Sequence, residues 1–485
     1  MSKTQPARGM RDFLPADVRR REYVMGVVRG VYERYGFEPL ETPAVENIET
    51  LLGKYGEEGN QLIFKILKRG EHEQTGAADL ALRYDLTVPL ARVVAEYGER
   101  LPKFFKRYQM QPVWRADRPA RGRFREFYQC DVDAIGSRSM IVEAELCAAA
   151  TDALTQLGFA NFTIRLNHRQ VLAGVLEQAG VAADKQADAL TALDKLDKIG
   201  AEGVAREFVE RGVGGEAGVK LLRFFEGVAG IEKAADAIDV GAAGTEREAY
   251  NAAMLGRLVE FLGAHERGAR GVDELRQILQ FATASGAGAR IKIDPSLARG
   301  LSYYTGAIME ISVPDLAGSL GGGGRYDNLV GMFSGRDIPA CGFSLGLERI
   351  IVVMTEREMF PVKVSRTSAD VLVTVWNEES VARSLALARK LREEGSALAR
   401  NSGGEPLRVD VYPVPGDKLG KQLKYASAYG VPLVVVEGEE EQKRDEITFK
   451  VMSSGDQFTV TSEELAKQLY LSVRLEQTAV EASDE

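Results

Sequence analysis

Arginines in strand-like segments are the residues of this chain whose type and setting could do chemistry. A single arginine on a strand is usually structural, but four of them, each in an unusual local sequence, favour a polyphosphate site. Arginine holds phosphate through two parallel hydrogen bonds and stays charged in any environment. Nucleotidyl transfer depends on positioning and charge neutralisation more than on a nucleophilic side chain. The four are Arg115, Arg123, Arg299 and Arg349.

Other common catalytic and metal-binding patterns are missing from the sequence. It has no Walker A pattern, no strand-GxGxxG-helix pattern and no evident nucleophile-base pair. The glycine run GGGGRYD at 321–327 is weak alone, since such runs form tight turns more often than phosphate cradles. Three cysteines without a CxxC pair argue against disulfides and favour a reducing cytoplasm. The three histidines lie far apart and form no HExxH pattern, which argues against a metal site; they are His72, His168 and His265.

A basic and aromatic stretch lies at 103–126. It holds eight basic and two acidic residues, although the whole chain has a net charge of −9. An ordinary solvated charged face is one interpretation, and an anion-binding site is the other. The overall charge argues against non-specific coating of nucleic acid. The interleaved aromatic residues are Phe104, Phe105, Tyr108, Trp114 and Phe124.

The elements that must position these residues fall into several segments, because 485 residues exceed one core. The first segment mixes a helix ending at Gly36, two strands joined by the polar turn RADRPARGR, and a helix ending at Gly158. The second has apolar residues at helical spacing, and the third returns to strands and glycine turns. We therefore predict one sheet from the first and third segments, with the helical one inserted between them.

A polar, proline-containing linker precedes a region of alternating strands and helices, which predicts a small α/β domain whose first strands are parallel. The last residues, EQTAVEASDE, are acidic and predicted to be disordered. No apolar stretch reaches the roughly 20 residues that span a bilayer, and the start lacks a secretory apolar region. The predicted boundaries are 1–166 and 288–359 for the core, 167–287 for the insertion, 360–368 for the linker, 369–472 for the last domain and 473–485 for the tail.

The sequence resembles the class II aminoacyl-tRNA synthetases in several motifs. GFEPLETPAVE, with Pro43, is similar to their motif 1, FKRYQMQPVWRADRPARGRFREFYQCDVDAIG to motif 2, and GFSLGLERI to motif 3. LARGLSYYTG is similar to the signature of histidyl-tRNA synthetases, and LRYDLTVPLAR and GGGGRYDNLV to that family's amino-acid pocket. The resemblance covers about residues 8–470. It implies an α+β multidomain fold: an antiparallel-sheet catalytic core with a helical insertion, plus a C-terminal α/β anticodon-binding domain.

The resemblance also implies a role for each matching residue at the ATP end of the site. Arg115 would hold the α-phosphate and the histidine carboxylate, and Arg123 the distal phosphates. Phe127 would stack on adenine, and Arg349 would bind the γ-phosphate. Arg299 would lie at the α-phosphate, where related synthetases place a metal ion. ATP and the Mg²⁺ that it carries are the implied cofactors, and no metal site made of protein alone is identified.

At the amino-acid end, the resemblance implies that Asp85, Thr87 and Gln129 bind the amino group and carboxylate of histidine. Asp133 and Tyr304 would read the imidazole, with Tyr303 lining the pocket, since imidazole offers one donor and one acceptor. Many family members have Glu where this chain has Asp133. A local cap or ion pair for Asp85, and a core position for both tyrosines, are the alternative interpretations.

The implied activity is activation of L-histidine with ATP to histidyl-adenylate, followed by transfer to the 3′ end of tRNA(His). A cytoplasmic homodimer paired through motif 1 is expected, with the insertion at the tRNA acceptor arm and no membrane partner. Lys418, Lys421 and Lys424 recur at about one-turn spacing, either as phosphate contacts or as a solvated face. The alternative is a catalytically inactive paralogue that senses histidine as a regulatory subunit. Such paralogues typically lack the last domain and lose catalytic arginines.

Overall fold

The computed structural model describes residues 4–70, 75–193, 196–213, 215–236, 244–298, 303–314, 316, 318–361, 364, 369–438, 444 and 446–481. His72 and Arg299, both considered above, lie outside these residues. The chain forms two compact units, Met1–Met359 and Phe360–Glu485. Among the described residues, none of the helices combines the length and the apolar character that crossing a membrane requires.

The first unit is organised around a large mixed sheet, in which eight strands are described, in the order β1-β5-β6-β11-β10-β9-β7-β8. The neighbours from β5 to β7 are antiparallel, whereas β1 and β8 pair in parallel at the two edges. Strands from before and after the helical segment therefore share one sheet, as the sequence predicted. They are β1 (Glu38–Pro39), β5 (Phe105–Trp114), β6 (Glu126–Ile135), β7 (Thr163–His168), β8 (Ile291–Ile293), β9 (Ala307–Ser312), β10 (Gly321–Arg325) and β11 (Ala340–Gly346).

Three helices associated with this sheet are α1 (Pro15–Arg34), α5 (Ile141–Gln156) and α13 (Leu347–Glu356). Val24, Val28 and Val31 recur at helical spacing on α1 and are fully buried, so one apolar face holds this helix in place. Gly36 and Gly158 follow α1 and α5 at φ 75° and 86°, a conformation that favours glycine. Both predicted helix ends are confirmed, and α1 starts at Pro15, a residue that suits a first helical turn.

The glycine run at 321–324 forms the central strand β10 rather than the tight turn that is more usual for such runs. The strand lies between β9 and β11, and its missing side chains leave room for larger neighbours. A Cβ on Gly324 would lie 2.9 Å from the ring of Tyr304. Glycine is required here by close approach of other groups rather than by a turn.

A helical segment separates β7 from β8, as predicted. Val272, Leu275 and Ile278 recur at helical spacing and are buried on one helix, as the apolar pattern of this segment indicates. His168 and His265 each accept an N–H at the start of a helix and each pair with a glutamate, which accounts for both side chains. The helices are α6 (Arg169–Ala179), α7 (Gln186–Leu193), α8 (Leu196–Glu210), α9 (Gly215–Asp236), α10 (Gly244–Leu262) and α11 (Glu266–Ala284).

A smaller antiparallel sheet with the order β2-β4-β3 lies near the predicted motif 1 in sequence. Short helices connect it to the main sheet. Its elements are β2 (Val45–Asn47), α2 (Ile48–Leu51), α3 (Gly56–Gln61), β3 (Lys65–Leu67), β4 (Ala78–Leu82) and α4 (Thr87–Tyr97), and α12 (Gly331–Ser334) packs against α4.

The second unit is an α/β domain with the strand order β13-β12-β14-β15-β16. Strand β12 pairs in parallel with β13 and β14, as predicted, and the last two strands are antiparallel. The last helix runs to Glu481, so the disorder predicted from residue 476 is wrong at least to that point, because the helical pattern continues through the acidic tail. The elements are β12 (Val371–Val373), α14 (Val381–Ser402), β13 (Val409–Val411), α15 (Leu419–Ala428), β14 (Leu433–Val436), β15 (Glu446–Val451), β16 (Gln457–Thr461) and α16 (Leu465–Glu481).

Candidate active site

A cavity of about 420 Å³ lies over the middle strands of the main sheet. Strand β6 contributes a row of side chains to its wall, because successive side chains alternate between the two faces of a strand. Glycines of β10 and β11 form part of the floor and leave the cavity open. The β6 row consists of Phe127, Gln129, Asp131 and Asp133.

Arg115 and Arg123 lie at one end of the cavity, on the connection between β5 and β6. The guanidinium of Arg115 lies 4.3 Å from the ring centroid of Tyr84 and 5.1 Å from that of Phe127, and its Nε donates to the Tyr84 carbonyl at 3.0 Å. Arg123 donates to Asp117 at 2.7 Å, and its side chain is 52% exposed. Arg115 is therefore held rigidly, while Arg123 can reach outward.

Arg349 reaches the same end of the cavity from the first turn of α13. Its guanidinium donates to the backbone carbonyls of Ser319 and Gly122. Gly122 belongs to the β5–β6 connection, so this contact ties the two sequence motifs that supply the arginines. Three arginines from two distant segments thus converge on one space.

Asp85 also lines the cavity, just before α4, and Arg115 lies close enough to oppose the rise in the pKa of its carboxyl. We call the part of the lining around Asp85, Asp131 and Asp133 the acidic end. One carboxylate oxygen accepts hydrogen bonds from the Tyr55 hydroxyl and the Val88 N–H, each at 3.0 Å, and the other accepts from Tyr303 at 3.2 Å. Burial raises the pKa of this carboxyl, and the Val88 N–H opposes that shift. Thr87, the first residue of α4, lines the cavity beside it.

Asp133 forms a buried network with two residues that sequence reasoning did not select. The hydroxyl of Tyr326 donates to Asp133, and Nη2 of Arg107 lies 2.7 Å from its other oxygen. A Cβ on Gly342, opposite Asp133 on β11, would collide with the carboxylate. This glycine is therefore required for the carboxylate to lie over the sheet.

Asp131 is a third carboxylate at the acidic end, and the sequence did not single it out. Burial raises the pKa of its carboxyl from 3.8 to about 7, while Arg107 lowers it and the Asp133 carboxylate adds to the rise. The signal that could have found it is its position midway between Gln129 and Asp133 on a strand. Alternation alone places all three on one face.

The stability of the protein is expected to fall between about pH 4 and pH 7 through Asp131. Its pKa is higher in the folded than in the unfolded chain, so the folded state binds more protons in this window. Ionisation of Asp131 at higher pH therefore costs up to about 4 kcal/mol. Asp131→Asn removes this dependence, so the melting temperature of the variant relative to wild type should be higher at pH 8 than at pH 5. The same difference at both pH values would contradict a raised pKa.

The cavity brings together most of the predicted site residues. Arg299 lies outside the described residues, and Pro43 lies away from the cavity, where its carbonyl accepts from buried Arg83 at 3.2 Å. The residues that sequence reasoning missed are Tyr55, Arg107, Asp131 and Tyr326. The predicted residues that line the cavity are Asp85, Thr87, Arg115, Arg123, Phe127, Gln129, Asp133, Tyr303, Tyr304 and Arg349.

The carboxylates at the arginine end are already engaged. Asp117 accepts from Arg123, and Glu348 accepts from Arg21 at 2.7 Å and from the Tyr128 N–H at 2.9 Å. Glu310 lies 3.4 Å from Arg165. No group of three or more His, Cys, Asp or Glu side chains within the described part of the chain is placed to hold a metal ion.

Comparison with known proteins matches both units. Residues 9–350 match the family described as Histidyl-tRNA synthetase, and residues 370–470 match the Anticodon binding domain. A histidine–tRNA ligase of Flavobacterium johnsoniae is 38% identical over 96% of this chain and 99% of its own length, and one of Gloeobacter violaceus is 41% identical over 92% and 94%. The crystal structure of histidyl-tRNA synthetase from Nostoc sp. PCC 7120 covers 97% of this chain and 99% of its own, with 30% identity and a TM-score of 0.75.

Proposed function

The chain belongs to the histidyl-tRNA synthetase family and has histidine–tRNA ligase activity, and we propose that the cavity in its first unit is where histidine is activated. One observation carries this proposal: Arg115, Arg123 and Arg349 line the same cavity as Asp85, Asp131 and Asp133. ATP is a polyanion, whereas histidine carries an ammonium group and ring N–H donors. The arginines thus suit ATP and the aspartates suit histidine, so the two substrates could react within this one cavity.

At the arginine end, Arg115 would hold the α-phosphate together with the histidine carboxylate, since it is fixed between Tyr84 and Phe127. Arg123 and Arg349 would bind the outer phosphates, and Phe127 would stack on adenine. The role of Arg299 at the α-phosphate remains a proposal from the sequence alone. Mg²⁺ would arrive with ATP, because the carboxylates at this end are engaged by protein groups.

At the acidic end, Asp85, Thr87 and Gln129 would bind the amino group and the carboxylate of histidine. Asp85 is held by Tyr55 and Tyr303, which fixes its position before substrate arrives. Asp133, Tyr303 and Tyr304 would define the imidazole pocket. The glycine floor under this region leaves space for a flat ring.

The reaction proposed for this arrangement is an in-line displacement. A carboxylate oxygen of histidine attacks the α-phosphorus of ATP, the bond to the β-phosphate oxygen breaks, and pyrophosphate leaves with the electron pair. Negative charge builds on the α-phosphate oxygens, where a fixed guanidinium stabilises it. The terminal ribose hydroxyl of tRNA then attacks the carbonyl carbon of histidyl-adenylate and releases AMP.

The second unit would bind the anticodon arm of the tRNA, and the helical segment at 167–287 would contact the acceptor arm. In the predicted lysine row, Lys421 pairs with Asp417 at 2.9 Å, and Lys418 and Lys424 are exposed. Lys418 and Lys424 would be available for phosphate contact, whereas Lys421 would have to exchange Asp417 for a phosphate. We place this reaction in the cytoplasm, where tRNA is charged for protein synthesis.

A homodimer formed around motif 1 and the β2-β4-β3 sheet is also proposed. Three large apolar side chains of this sheet are exposed in the isolated chain: Val45 by 38%, Leu67 by 54% and Leu80 by 37%. Apolar groups exposed this close together are typical of a surface that another chain covers. Pro43 lies next to this sheet and is tied to the core through Arg83.

The proposed function is tested by histidine-dependent exchange of pyrophosphate into ATP on purified protein, with other amino acids as controls. Exchange with histidine alone is the expected result. Histidine binding without any exchange would instead support the regulatory paralogue.

Ending the chain after Pro361 is expected to spare adenylate formation and to weaken tRNA charging. All cavity residues belong to the first unit, and the second unit has its own apolar core. Exchange and charging would be measured on the same preparations of truncated and full-length protein. Equal loss of both activities would show that the second unit supports the first rather than the tRNA.

A further inference from the structure

Asp131 has no role in the proposed function, yet it lies among the residues that do. It is 2% exposed, lines the cavity, and stands between Gln129 and Asp133 on β6. Across the sheet its neighbours are Ser344 on β11 and Gly322 on β10, which both line the cavity. Asp131, Ser344 and Gly322 form one row across three strands, and this Asp131 row is therefore part of the binding surface.

The other two carboxylates at this end already have partners. Asp85 accepts from the Tyr55 and Tyr303 hydroxyls and from a backbone N–H. Asp133 accepts from Tyr326 and lies beside the guanidinium of Arg107. Each is thus already bonded to groups of the protein itself.

Oδ2 of Asp133 also accepts no hydrogen bond, but it lies 2.7 Å from Arg107. Asp131 differs because one of its oxygens has neither a hydrogen bond nor an ion-pair contact among the described residues. Its Oδ1 is buried and accepts no hydrogen bond from any residue that the structure describes, while Oδ2 is 3.9 Å from Arg107, beyond hydrogen-bonding distance. The hydroxyl of Ser344 is the neutral group that bonds this carboxylate. A buried acceptor without a donor is unfavourable, so such an atom is expected to meet a donor from a ligand.

The charges at this end lead to the same conclusion. Asp85, Asp131 and Asp133 face one space, in which Arg107 lies 2.7 Å from Asp133 and Arg115 lies near Asp85. Among the described residues, three carboxylates with two guanidinium groups still favour a ligand that brings positive charge or N–H donors. Histidine offers both, through its ammonium group and its ring.

We propose that Asp131 accepts a hydrogen bond from the ring N–H of bound histidine, and that Asp133 acts as a positioning residue through Tyr326 and Arg107. The inference rests on the proposed function, which places histidine at this end. Same-face side chains two residues apart on a strand are separated by about 7 Å. An imidazole ring can therefore lie at Asp131, between the side chains of Gln129 and Asp133. Gly322 lines the cavity in the Asp131 row and brings no side chain to its floor.

The test compares histidine with β-(thiazol-4-yl)-L-alanine, in which sulfur replaces the ring N–H. The KM for histidine and the inhibition constant of this analogue would be measured by pyrophosphate exchange for wild type, Asp131→Ala and the isosteric Asp131→Asn. Asp131→Ala is expected to lower kcat/KM for histidine by about 10- to 100-fold, as loss of a charge-assisted hydrogen bond does. Analogue binding and the KM for ATP are expected to change by less than about threefold. The Asp131→Ala variant would therefore no longer discriminate between the imidazole ring and the thiazole ring.

Asp117→Asn is the matched control, because Asp117 lines the same cavity at the arginine end. It is expected to alter the KM for ATP and to leave ring discrimination intact. Equal weakening of histidine and the analogue by Asp131→Ala, or no change in either, would overturn the inference. If the alanine variant fails to fold, Asp131→Asn is decisive, and unchanged discrimination in it would refute the ring contact. If wild type itself shows no exchange, the proposed function fails. The affinities of wild type and the Asp131 variants for histidine and for the thiazole analogue, measured by calorimetry, would still decide the role of Asp131.

Discussion

Replacing Arg115 by alanine is expected to lower the rate of histidyl-adenylate formation by about 100- to 1,000-fold, with little change in melting temperature. The guanidinium is held between two aromatic rings and by the Tyr84 carbonyl, so it is in place before charge develops. Loss of a preorganised group acts mainly on the transition state, so kcat should fall more than the KM for histidine rises. Single-turnover adenylate formation measures this directly.

Arg118→Ala is the matched control for this experiment. Arg118 belongs to the same β5–β6 connection and is exposed, but it does not line the cavity. Its loss is expected to leave adenylate formation near wild type. Arg115→Lys should remain impaired, because an ammonium cannot make the two-pronged contact of a guanidinium. Near-normal rates in Arg115→Ala would rule out the assigned role.

The sequence predicts the fold well where local patterns decide it. The strands at β5 and β6, the helix ends at Gly36 and Gly158, and the parallel start of the second unit all depend on periodicity and turn residues that are close in sequence. The single sheet built from two distant segments was also predicted. That prediction required only that two strand-rich regions flank a helical one.

Features that depend on distant contacts were missed. The run at 321–324 is a strand because Tyr304 and β11 approach it closely, and no local pattern records their positions. Tyr326 and Arg107 become important because they meet at Asp133. Family resemblance supplied the residues that face the substrates. The groups that hold those residues in place could be identified only from the structure.

Gly342→Ala is expected to damage histidine recognition as severely as loss of a substrate contact would. The new Cβ would occupy the space of the Asp133 carboxylate, which must then move away from Tyr326 and Arg107. Two charge-assisted contacts would be broken or distorted, so kcat/KM for histidine should fall by about 100-fold or more. Overpacking should also lower the stability by about 1–3 kcal/mol.

Gly256→Ala separates this effect from the general consequence of adding a methyl group. Gly256 lies in α10, and a Cβ there would meet nothing within 4 Å. This variant is expected to keep wild-type kinetics and to gain about 0.5–1 kcal/mol of stability, because alanine favours helix more than glycine does. The ATP dependence of Gly342→Ala should change less, since Arg115 and Arg123 lie on the β5–β6 connection and do not contact Gly342. A Gly342→Ala enzyme with a normal KM for histidine would show that binding does not need the carboxylate of Asp133 in this position, and the positioning network would then have no role in specificity.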